Sequence, residues 1–232
     1  MTIPDWYIDE LAFAGPEHLE ADYVAGYDRK AGTDPAEDLA LLRERGLDET
    51  QTVVDLGAGT GTFALAAAPV VHRVVAVDVS RPMLGALEDK LTRAGQHNVE
   101  LVHAGFLSYE HTGGPADVVY TRHALHHLPD FWKVIALRRI ARILRPGGTL
   151  FLRDLVFGVE PAEVEEAIEV WLGRATNDSE VGWTREELAT HVREEYSTFS
   201  WLLEPMLERA GFAIEVAEQH GPTYTTYICT RR

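Results

Sequence analysis

The stretch Val53-Val54-Asp55-Leu56-Gly57-Ala58-Gly59-Thr60-Gly61-Thr62 decides the fold of this 232-residue chain. Its apolar run predicts a buried strand, and the three alternate glycines that follow predict a tight loop. The apolar stretch from Phe63 to Ala68 then predicts a helix. Because glycine has no Cβ, a ligand can lie against the backbone of such a loop and meet the free N–H groups of the helix. The stretch therefore predicts a nucleotide-like ligand.

The spacing of these glycines differs from that of two common phosphate-binding loops. A dinucleotide loop has the pattern G-x-G-x-x-G, but Thr62 stands at the third glycine position and the extra glycine comes one residue early, at Gly61. A Walker loop ends in Gly-Lys-Ser or Gly-Lys-Thr, whereas no lysine follows Gly61. Pyrophosphate and triphosphate ligands are therefore disfavoured.

Further patterns follow at the spacing of alternating strands and helices. Residues 74–77 predict a second apolar strand that ends in Asp78, about twenty residues after the loop, where a ribose diol needs an acceptor. Residues 116–123 predict a fourth strand, and residues 144–152 predict a helix stop, a turn and a fifth strand.

These ordered motifs resemble those of the class I S-adenosylmethionine-dependent methyltransferases, over roughly residues 47–157. The first family motif, an acidic residue followed by G-x-G-x-G, is matched by Asp55, Gly57, Gly59 and Gly61, and the L-x-P-G-G turn at residues 144–148 is also typical of the family. The resemblance implies a doubly wound, Rossmann-like α/β fold, with a mostly parallel sheet of seven strands and an antiparallel C-terminal strand. It also implies S-adenosyl-L-methionine as cofactor and S-adenosyl-L-homocysteine as product.

The resemblance assigns roles to individual residues. Asp78 would bind the ribose, Asp55 would act toward the methionine amino group through the loop, and Met83 and Phe106 would flank the adenine. The cofactor-binding candidates are Tyr27, Asp55, Gly57, Ala58, Gly59, Thr60, Gly61, Asp78, Val79, Met83, Gly105, Phe106, Thr121 and Arg122. Simpler roles stay open: Asp78 as a helix cap, Asp55 as a brace of the loop, and Met83 and Phe106 as core residues.

One position departs from the family pattern. Relatives carry an acidic residue after the third strand, whose carboxylate accepts a hydrogen bond from the adenine amino group, whereas this chain has Ala104-Gly105-Phe106-Leu107. The adenine acceptor is therefore missing as a side chain at this place. The backbone of Gly105 and Phe106 is expected to contact the adenine edge instead, with the phenyl ring over its face.

The catalytic candidates follow the fourth and fifth strands, because doubly wound sheets bind ligands at the carboxyl ends of their strands. Methyl transfer requires alignment of the acceptor and, where the acceptor carries a proton, a base with a pKa near neutrality. His123 is the first candidate for this base, followed by His126, His127 and Asp154. A packing role stays open for the histidine loop, residues 121–130, which carries three histidines. A metal would need a third ligand such as Asp130 or Asp154, and the sequence predicts none.

Composition limits the partners. The formal net charge of −16, with no cluster of lysine or arginine to offset it, disfavours nucleic acid as substrate. The N-terminus lacks the pattern of a signal peptide, no apolar run is long enough to span a membrane, and Cys229 is the single cysteine. We therefore expect a cytoplasmic protein that contacts no membrane. No heptad pattern predicts an oligomer.

The chain is expected to form a single methyltransferase domain, residues 1–232. Residues 1–46 would form a helical lid, with amphipathic stretches at residues 8–13 and 34–45 joined through residues 23–30. Residues 47–157 would bind the cofactor, residues 158–200 would form an insert on the substrate side, and residues 201–232 would add a closing helix and two strands.

The function predicted from these motifs is methyl transfer to an oxygen, nitrogen or carbon atom of a small molecule. Two other functions stay open, a cofactor-binding protein without catalysis and a nicotinamide-dependent oxidoreductase. The candidate walls of the substrate pocket are aromatic: Tyr23, Tyr27, Trp171, Trp183, Tyr196, Phe199 and Tyr224.

Overall fold

A computed structural model describes residues 4–15, 18–32, 34–179 and 181–232. The helices are α1 (Ala21–Ala31), α2 (Ala36–Glu44), α3 (Thr62–Ala67), α4 (Arg81–Ala94), α5 (Asp130–Ile143), α6 (Val164–Leu172), α7 (Arg185–Glu194) and α8 (Ser200–Ala210). The strands are β1 (Thr52–Leu56), β2 (Arg73–Asp78), β3 (Val99–His103), β4 (Ala116–Arg122), β5 (Leu144–Phe157), β6 (Thr198–Phe199), β7 (Phe212–His220) and β8 (Tyr224–Arg231). Short 3-10 turns lie at Glu10–Phe13, Ala68–Val70, Leu125–His127 and Pro161–Glu163.

The strands form one sheet in the order β3-β2-β1-β4-β5-β8-β7, and the two-residue β6 pairs with the end of β5. Strands β1 to β5 run parallel, while β8 pairs antiparallel with both β5 and β7. The predicted doubly wound sheet with an antiparallel C-terminal strand is confirmed, and β6 adds a short eighth strand. The strand order reverses between β1 and β4, so a crevice opens beyond their carboxyl ends.

The sheet is covered on both faces, which explains the continuous apolar runs of its central strands. Val53 and Val54 are fully buried neighbours on β1 and point to opposite faces. Val54 belongs to a cluster that includes Leu137 of α5 and Leu207 of α8. Val53 belongs to the cluster that contains Leu87 of α4. Two packed layers thus fix β1 and the loop that follows it.

The segment before the sheet differs from the sequence interpretation. Residues 23–30 are part of helix α1 rather than a connection between two amphipathic stretches. Residues 8–13 contain only the 3-10 turn Glu10–Phe13, while residues 34–45 contain α2 as expected.

In the insert, Thr184 and Glu187 form the capping box that starts α7. No helix in the described part of the chain is long and apolar enough to cross a membrane.

Candidate active site

A cavity of about 400 Å³ opens at the carboxyl ends of β1, β2 and β4. Its walls include most of the residues that the sequence singles out: Tyr27, Asp55, Gly57, Ala58, Gly59, Thr60, Asp78, Val79, Met83, Gly105, Phe106, Arg122, His123 and His127. Four candidates do not line it, namely Gly61, Thr121, His126 and Asp154. Of the predicted aromatic walls, Tyr27 alone lines the cavity within the described residues. The volume is in the range of small-molecule sites.

The three glycines of the loop have positive φ angles of 74°, 54° and 80° at Gly57, Gly59 and Gly61. A Cβ on Gly57 would overlap the Cβ of Ala124, and a Cβ on Gly61 would overlap Leu87. A Cβ on Gly59 would instead meet no atom within 4 Å. Gly57 and Gly61 are therefore required for packing, whereas Gly59 leaves open the space above the loop.

Asp78 holds the glycine loop in place. Its Oδ2 accepts a hydrogen bond from the N–H of Gly59 at 2.7 Å, and its Oδ1 accepts one from the N–H of Ser80 at 2.8 Å. The cap of α4 is Ser80, whose hydroxyl accepts from the N–H of Met83 at 3.2 Å. Asp78 therefore lines the cavity and braces the loop at the same time, since a carboxylate has lone pairs to spare for a ligand.

Asp55 is buried beneath the loop. Its side chain is 2% exposed, and its Oδ2 has no hydrogen-bond partner in the described part of the chain. Burial raises the pKa of Asp55 to about 8, and the nearby charge of Asp78 adds to this shift. A positively charged ligand group would offset both effects.

Helix α1 is tied to the glycine loop by Asp28. The hydroxyl of Thr60 and the ammonium of Lys90 on α4 both contact the Asp28 carboxylate, and Lys90 also donates to the carbonyl of Thr60 at 3.0 Å. Lys30 forms an ion pair with Glu187 of α7. Helix α1 thus joins the loop to the insert across the cavity, a connection that the sequence analysis missed because its partners are far apart in the chain.

Two neutral imidazoles line the cavity after β4. His123 is the one non-glycine residue with positive φ in the described chain, at 51°, and its N–H donates to the carbonyl of Arg153 at 2.8 Å. Such backbone strain is typical of functional sites. Burial lowers the pKa of His123 to about 3 and also lowers that of His127. The Nδ1 of His127 has no partner among the described residues.

His126 and Asp154 lie behind this wall rather than in it. Asp154 accepts from the backbone N–H of His126 at 3.1 Å and contacts its Nδ1. The Nε2 of His126 lies 3.0 Å from Glu195, which also contacts His191. Burial alone would lower the pKa of His126, but the two carboxylates outweigh it and raise the pKa to about 10. His126 is therefore a cation at neutral pH and is not available as a base.

Arg122 has structural partners of its own, and Thr121 lies away from the cavity. The guanidinium of Arg122 lies 2.9 Å from Asp38 of α2, and Asp38 also accepts from the hydroxyl of Tyr120 at 2.8 Å. Arg153 reaches the other oxygen of Asp38 at 3.0 Å. Thr121 is buried outside the cavity. The charge of Arg122 is thus already balanced, although its side chain lines the cavity.

One group in the described chain has the composition of a metal site. His126, His127 and Glu195 each offer a ligand atom within 4.8 Å of the others. Both ring nitrogens of His126 already contact carboxylates, of Asp154 and Glu195, so His126 belongs to an ion network.

Comparison with known proteins indicates a methyltransferase. Residues 53–148 match the protein family described as a methyltransferase domain. The chain is 26% identical to a demethylmenaquinone methyltransferase of Listeria monocytogenes over 197 residues, 83% of this chain and 77% of that one. It is 32% identical to the 27-O-demethylrifamycin SV methyltransferase of Amycolatopsis mediterranei over 119 residues, 50% of this chain and 43% of that one.

The fold is similar to that of the magnesium protoporphyrin IX methyltransferase of Synechocystis, solved with bound S-adenosylmethionine. The TM-score is 0.66 at 14% identity, and the match covers 99% of this chain and 100% of that one. The protein is therefore an S-adenosylmethionine-dependent methyltransferase. Its sequence motifs resemble those of the class I family, and its fold is similar to that of such enzymes.

The residues present fit S-adenosylmethionine as the cofactor. The open space above Gly59 leaves room for a ligand against the backbone, and the partnerless oxygen of Asp55 suits the ammonium of a methionine moiety. Asp78 lies beside Gly59 at the end of β2, with lone pairs left for a ribose. Glu10, which the sequence analysis did not single out, lines the cavity beside Gly105.

Proposed function

We propose that this methyltransferase acts on an oxygen or nitrogen atom of a small organic molecule, with His123 as the base that takes the proton of the acceptor. The observation that carries the proposal is the neutral imidazole of His123 in the same cavity as the glycine loop. Its pKa of about 3 lies below the neutral range expected for such a base. The proton would therefore move to the imidazole only as the new bond to the methyl group makes the acceptor atom positive and its proton acidic. A carbon acceptor is the less favoured form of the same proposal, since its proton leaves from a C–H bond, which is a poor hydrogen-bond donor to the imidazole.

When bound, S-adenosylmethionine supplies a methyl group on a positively charged sulfur, so the protein has mainly to align the acceptor and remove its proton. The ring of His123 would accept a hydrogen bond from the O–H or N–H of the acceptor. As the new bond to oxygen or nitrogen forms, the proton moves to the imidazole. Asp154 stabilises the resulting imidazolium, because its charge already opposes the effect of burial on the pKa of His123.

Three observations support a small acceptor. The cavity is bordered by residues of the N-terminal segment, including Ala14, Tyr27 and Ala31, which leaves little room for a macromolecule. The net charge of −16 repels nucleic acids. The relatives compared above are named as methyltransferases of demethylmenaquinone and of 27-O-demethylrifamycin SV, both small molecules.

The experiment that tests the proposal is a screen of phenols, hydroxyquinones and amines with purified protein and S-adenosylmethionine. Formation of S-adenosylhomocysteine, together with an acceptor that is heavier by one methylene unit, would support it. The acceptor found in this way is then used to compare wild type with His123→Ala, His127→Ala and the exposed control His97→Ala.

We expect His123→Ala to bind S-adenosylhomocysteine as wild type does and to lower kcat by roughly 10²-fold or more. His97→Ala should behave as wild type because the residue is exposed. An unchanged rate in His123→Ala with a lowered rate in His127→Ala would transfer the role of base to His127. Cofactor binding with no turnover of any acceptor would favour the alternative of a binding protein without catalysis.

A further inference from the structure

A carboxylate from the far N-terminal segment lies beside Gly105, at the end of β3. Glu10 is on the 3-10 turn Glu10–Phe13, and its Oε1 accepts a hydrogen bond from the N–H of Leu107 at 2.9 Å. Its Oε2 accepts one from the hydroxyl of Ser108 at 3.0 Å. Glu10 and Gly105 both line the cavity. A segment about a hundred residues away in sequence thus completes the wall after β3.

The carboxylate occupies the space that a side chain at position 105 would need. A Cβ built on Gly105 would lie 2.6 Å from the Cδ of Glu10 and 2.7 Å from its Oε2. Gly105 does not have a positive φ, so its backbone does not require glycine. The absence of a side chain at position 105 is therefore explained by the presence of Glu10.

The position of this carboxylate along the sheet indicates which part of the ligand it meets. The carboxyl ends of β4, β1, β2 and β3 follow one another along the sheet. His123 follows β4, Asp55 and the glycine loop belong to β1, and Asp78 ends β2. A ligand that extends from His123 past Asp78 therefore reaches the end of β3 with its base, where Met83 and Phe106 supply apolar walls.

The bonding capacity of Glu10 leaves room for a ligand. An ionised carboxylate has about four lone-pair sites, and Glu10 uses up to three of them for the N–H of Leu107 and the hydroxyl and N–H of Ser108, which leaves one for a ligand. The carboxylate is an acceptor, so it suits a donor such as an exocyclic amino group. Burial raises the pKa of Glu10, while the hydrogen bonds from Leu107 and Ser108 oppose the shift. A further donor from the ligand would favour the ionised form in the same way.

We propose that Glu10 is the acceptor for the exocyclic amino group of adenine in this enzyme, in place of an acidic side chain on the loop after β3. The proposal concerns recognition of the cofactor and does not depend on the identity of the acceptor or of the base. It also makes the N-terminal segment part of the cofactor site rather than a cover for the acceptor alone.

The test is calorimetric binding of S-adenosylhomocysteine and of S-inosylhomocysteine, in which a carbonyl oxygen replaces the amino group of the base. Wild type should bind the adenosyl compound at least tenfold more tightly, because the carbonyl would face a carboxylate. In Glu10→Ala this preference should fall to near unity, mainly through weaker binding of the adenosyl compound. The loss corresponds to one hydrogen bond to a charged group.

Further variants test whether an acidic side chain at position 105 can replace Glu10. In Glu10→Ala, the space beside residue 105 is free, so the double variant Glu10→Ala with Gly105→Asp should recover a preference for the adenosyl compound. Gly105→Ala in the wild-type background displaces the Glu10 carboxylate without removing it and should lose the preference. Melting temperatures show whether each variant is folded, and Gly105→Ala tests the proposal if Glu10→Ala is not.

Two results would overturn the proposal. An undiminished preference in folded Glu10→Ala or Gly105→Ala would mean that Glu10 only packs against the loop. Absence of binding of either compound to wild type would overturn it together with the cofactor site itself. A failure to find a methyl acceptor, with adenosyl preference present and dependent on Glu10, would contradict the proposed function alone.

Discussion

Asp154 accepts two hydrogen bonds from one residue, His126: one from its backbone N–H at 3.1 Å and one from its ring. Glu195 contacts the other ring nitrogen at 3.0 Å. Burial would raise the pKa values of Asp154 and Glu195, but the His126 cation outweighs burial and lowers both. This network connects β5, the loop after β4 and the residue that follows α7, so it fixes the histidine loop behind the cavity.

Replacement of His126 should destabilise the fold. In His126→Gln the carboxylates of Asp154 and Glu195 would be left with no cation between them, at a cost of about 3 kcal/mol in the free energy of unfolding. Urea unfolding at neutral pH measures this cost. His97→Gln is the control, because His97 is exposed and should change stability by less than about 0.5 kcal/mol. Equal midpoints for the two variants would contradict the network.

The contribution of His126 to stability should depend on pH. Its pKa is about 10 in the folded protein and 6.5 in the unfolded reference, so the contribution is complete below pH 6.5 and is lost as pH rises through 10. The adjacent His123, His127 and His191 have lowered pKa values and stay neutral over this range. The stability difference between wild type and His126→Gln should therefore shrink between pH 6.5 and 10. A constant difference would mean that His126 is not charged.

Replacement of Asp55 should stabilise the fold but weaken cofactor binding. The pKa of Asp55 is about 8 in the folded protein and 3.8 in the unfolded reference, so folding favours the protonated carboxyl. The free energy that Asp55 takes from folding stability therefore grows as pH rises from about 4 to 8. Asp55→Asn should raise the free energy of unfolding by roughly 2 kcal/mol at pH 9 and by less at pH 5.

The same variant should weaken binding of S-adenosylhomocysteine about tenfold or more, because asparagine cannot ionise to pair with the ammonium of the ligand. Asp89→Asn is the matched control, since Asp89 is exposed on α4. Tighter binding by Asp55→Asn would show that the carboxylate does not face the cofactor.

Substitutions in the glycine loop should distinguish a position needed for packing from one needed for binding. Gly59→Asn should fold with little loss, because asparagine tolerates a φ of 54° and meets no protein atom, yet it should bind S-adenosylhomocysteine at least tenfold more weakly. Gly61→Ala should instead lose stability through its overlap with Leu87. Thermal melts and calorimetry distinguish the two effects.

The control for these variants is Gly85→Ala on the exposed face of α4, which should gain about 0.5–1 kcal/mol and leave binding unchanged. Undisturbed cofactor affinity in Gly59→Asn would remove the loop from the site.

Chelation should leave methyl transfer unaffected. In the group of His126, His127 and Glu195, both ring nitrogens of His126 already contact carboxylates, so we expect equal rates with and without EDTA once an acceptor is known. A rate that falls with EDTA and returns with a divalent cation would identify the group as a metal site.

Features that depend on residues close together in the sequence were predicted best. The alternate glycines after β1 and the closing strands follow from residue type and spacing, because backbone conformation and strand burial depend mainly on nearby residues. The predicted turn at residues 144–148 lies instead within β5, where the register with β4 shifts. The same reasoning missed α1, in which Gly26, an unfavourable residue in a helix interior, stands near the centre. It also included His126 and Asp154 among residues facing the reaction, although their side chains face each other.

The sequence by itself determined the order of strands and helices, the glycine loop and the class of cofactor, since each depends on short segments with a fixed local geometry. Tertiary structure alone decided that Glu10 fills the space beside Gly105, that Asp38 balances Arg122, and that the lowered pKa of His123 and the raised pKa of His126 separate two histidines three residues apart. The physical reason is that burial and charge act through space, between residues that only the folded chain brings together.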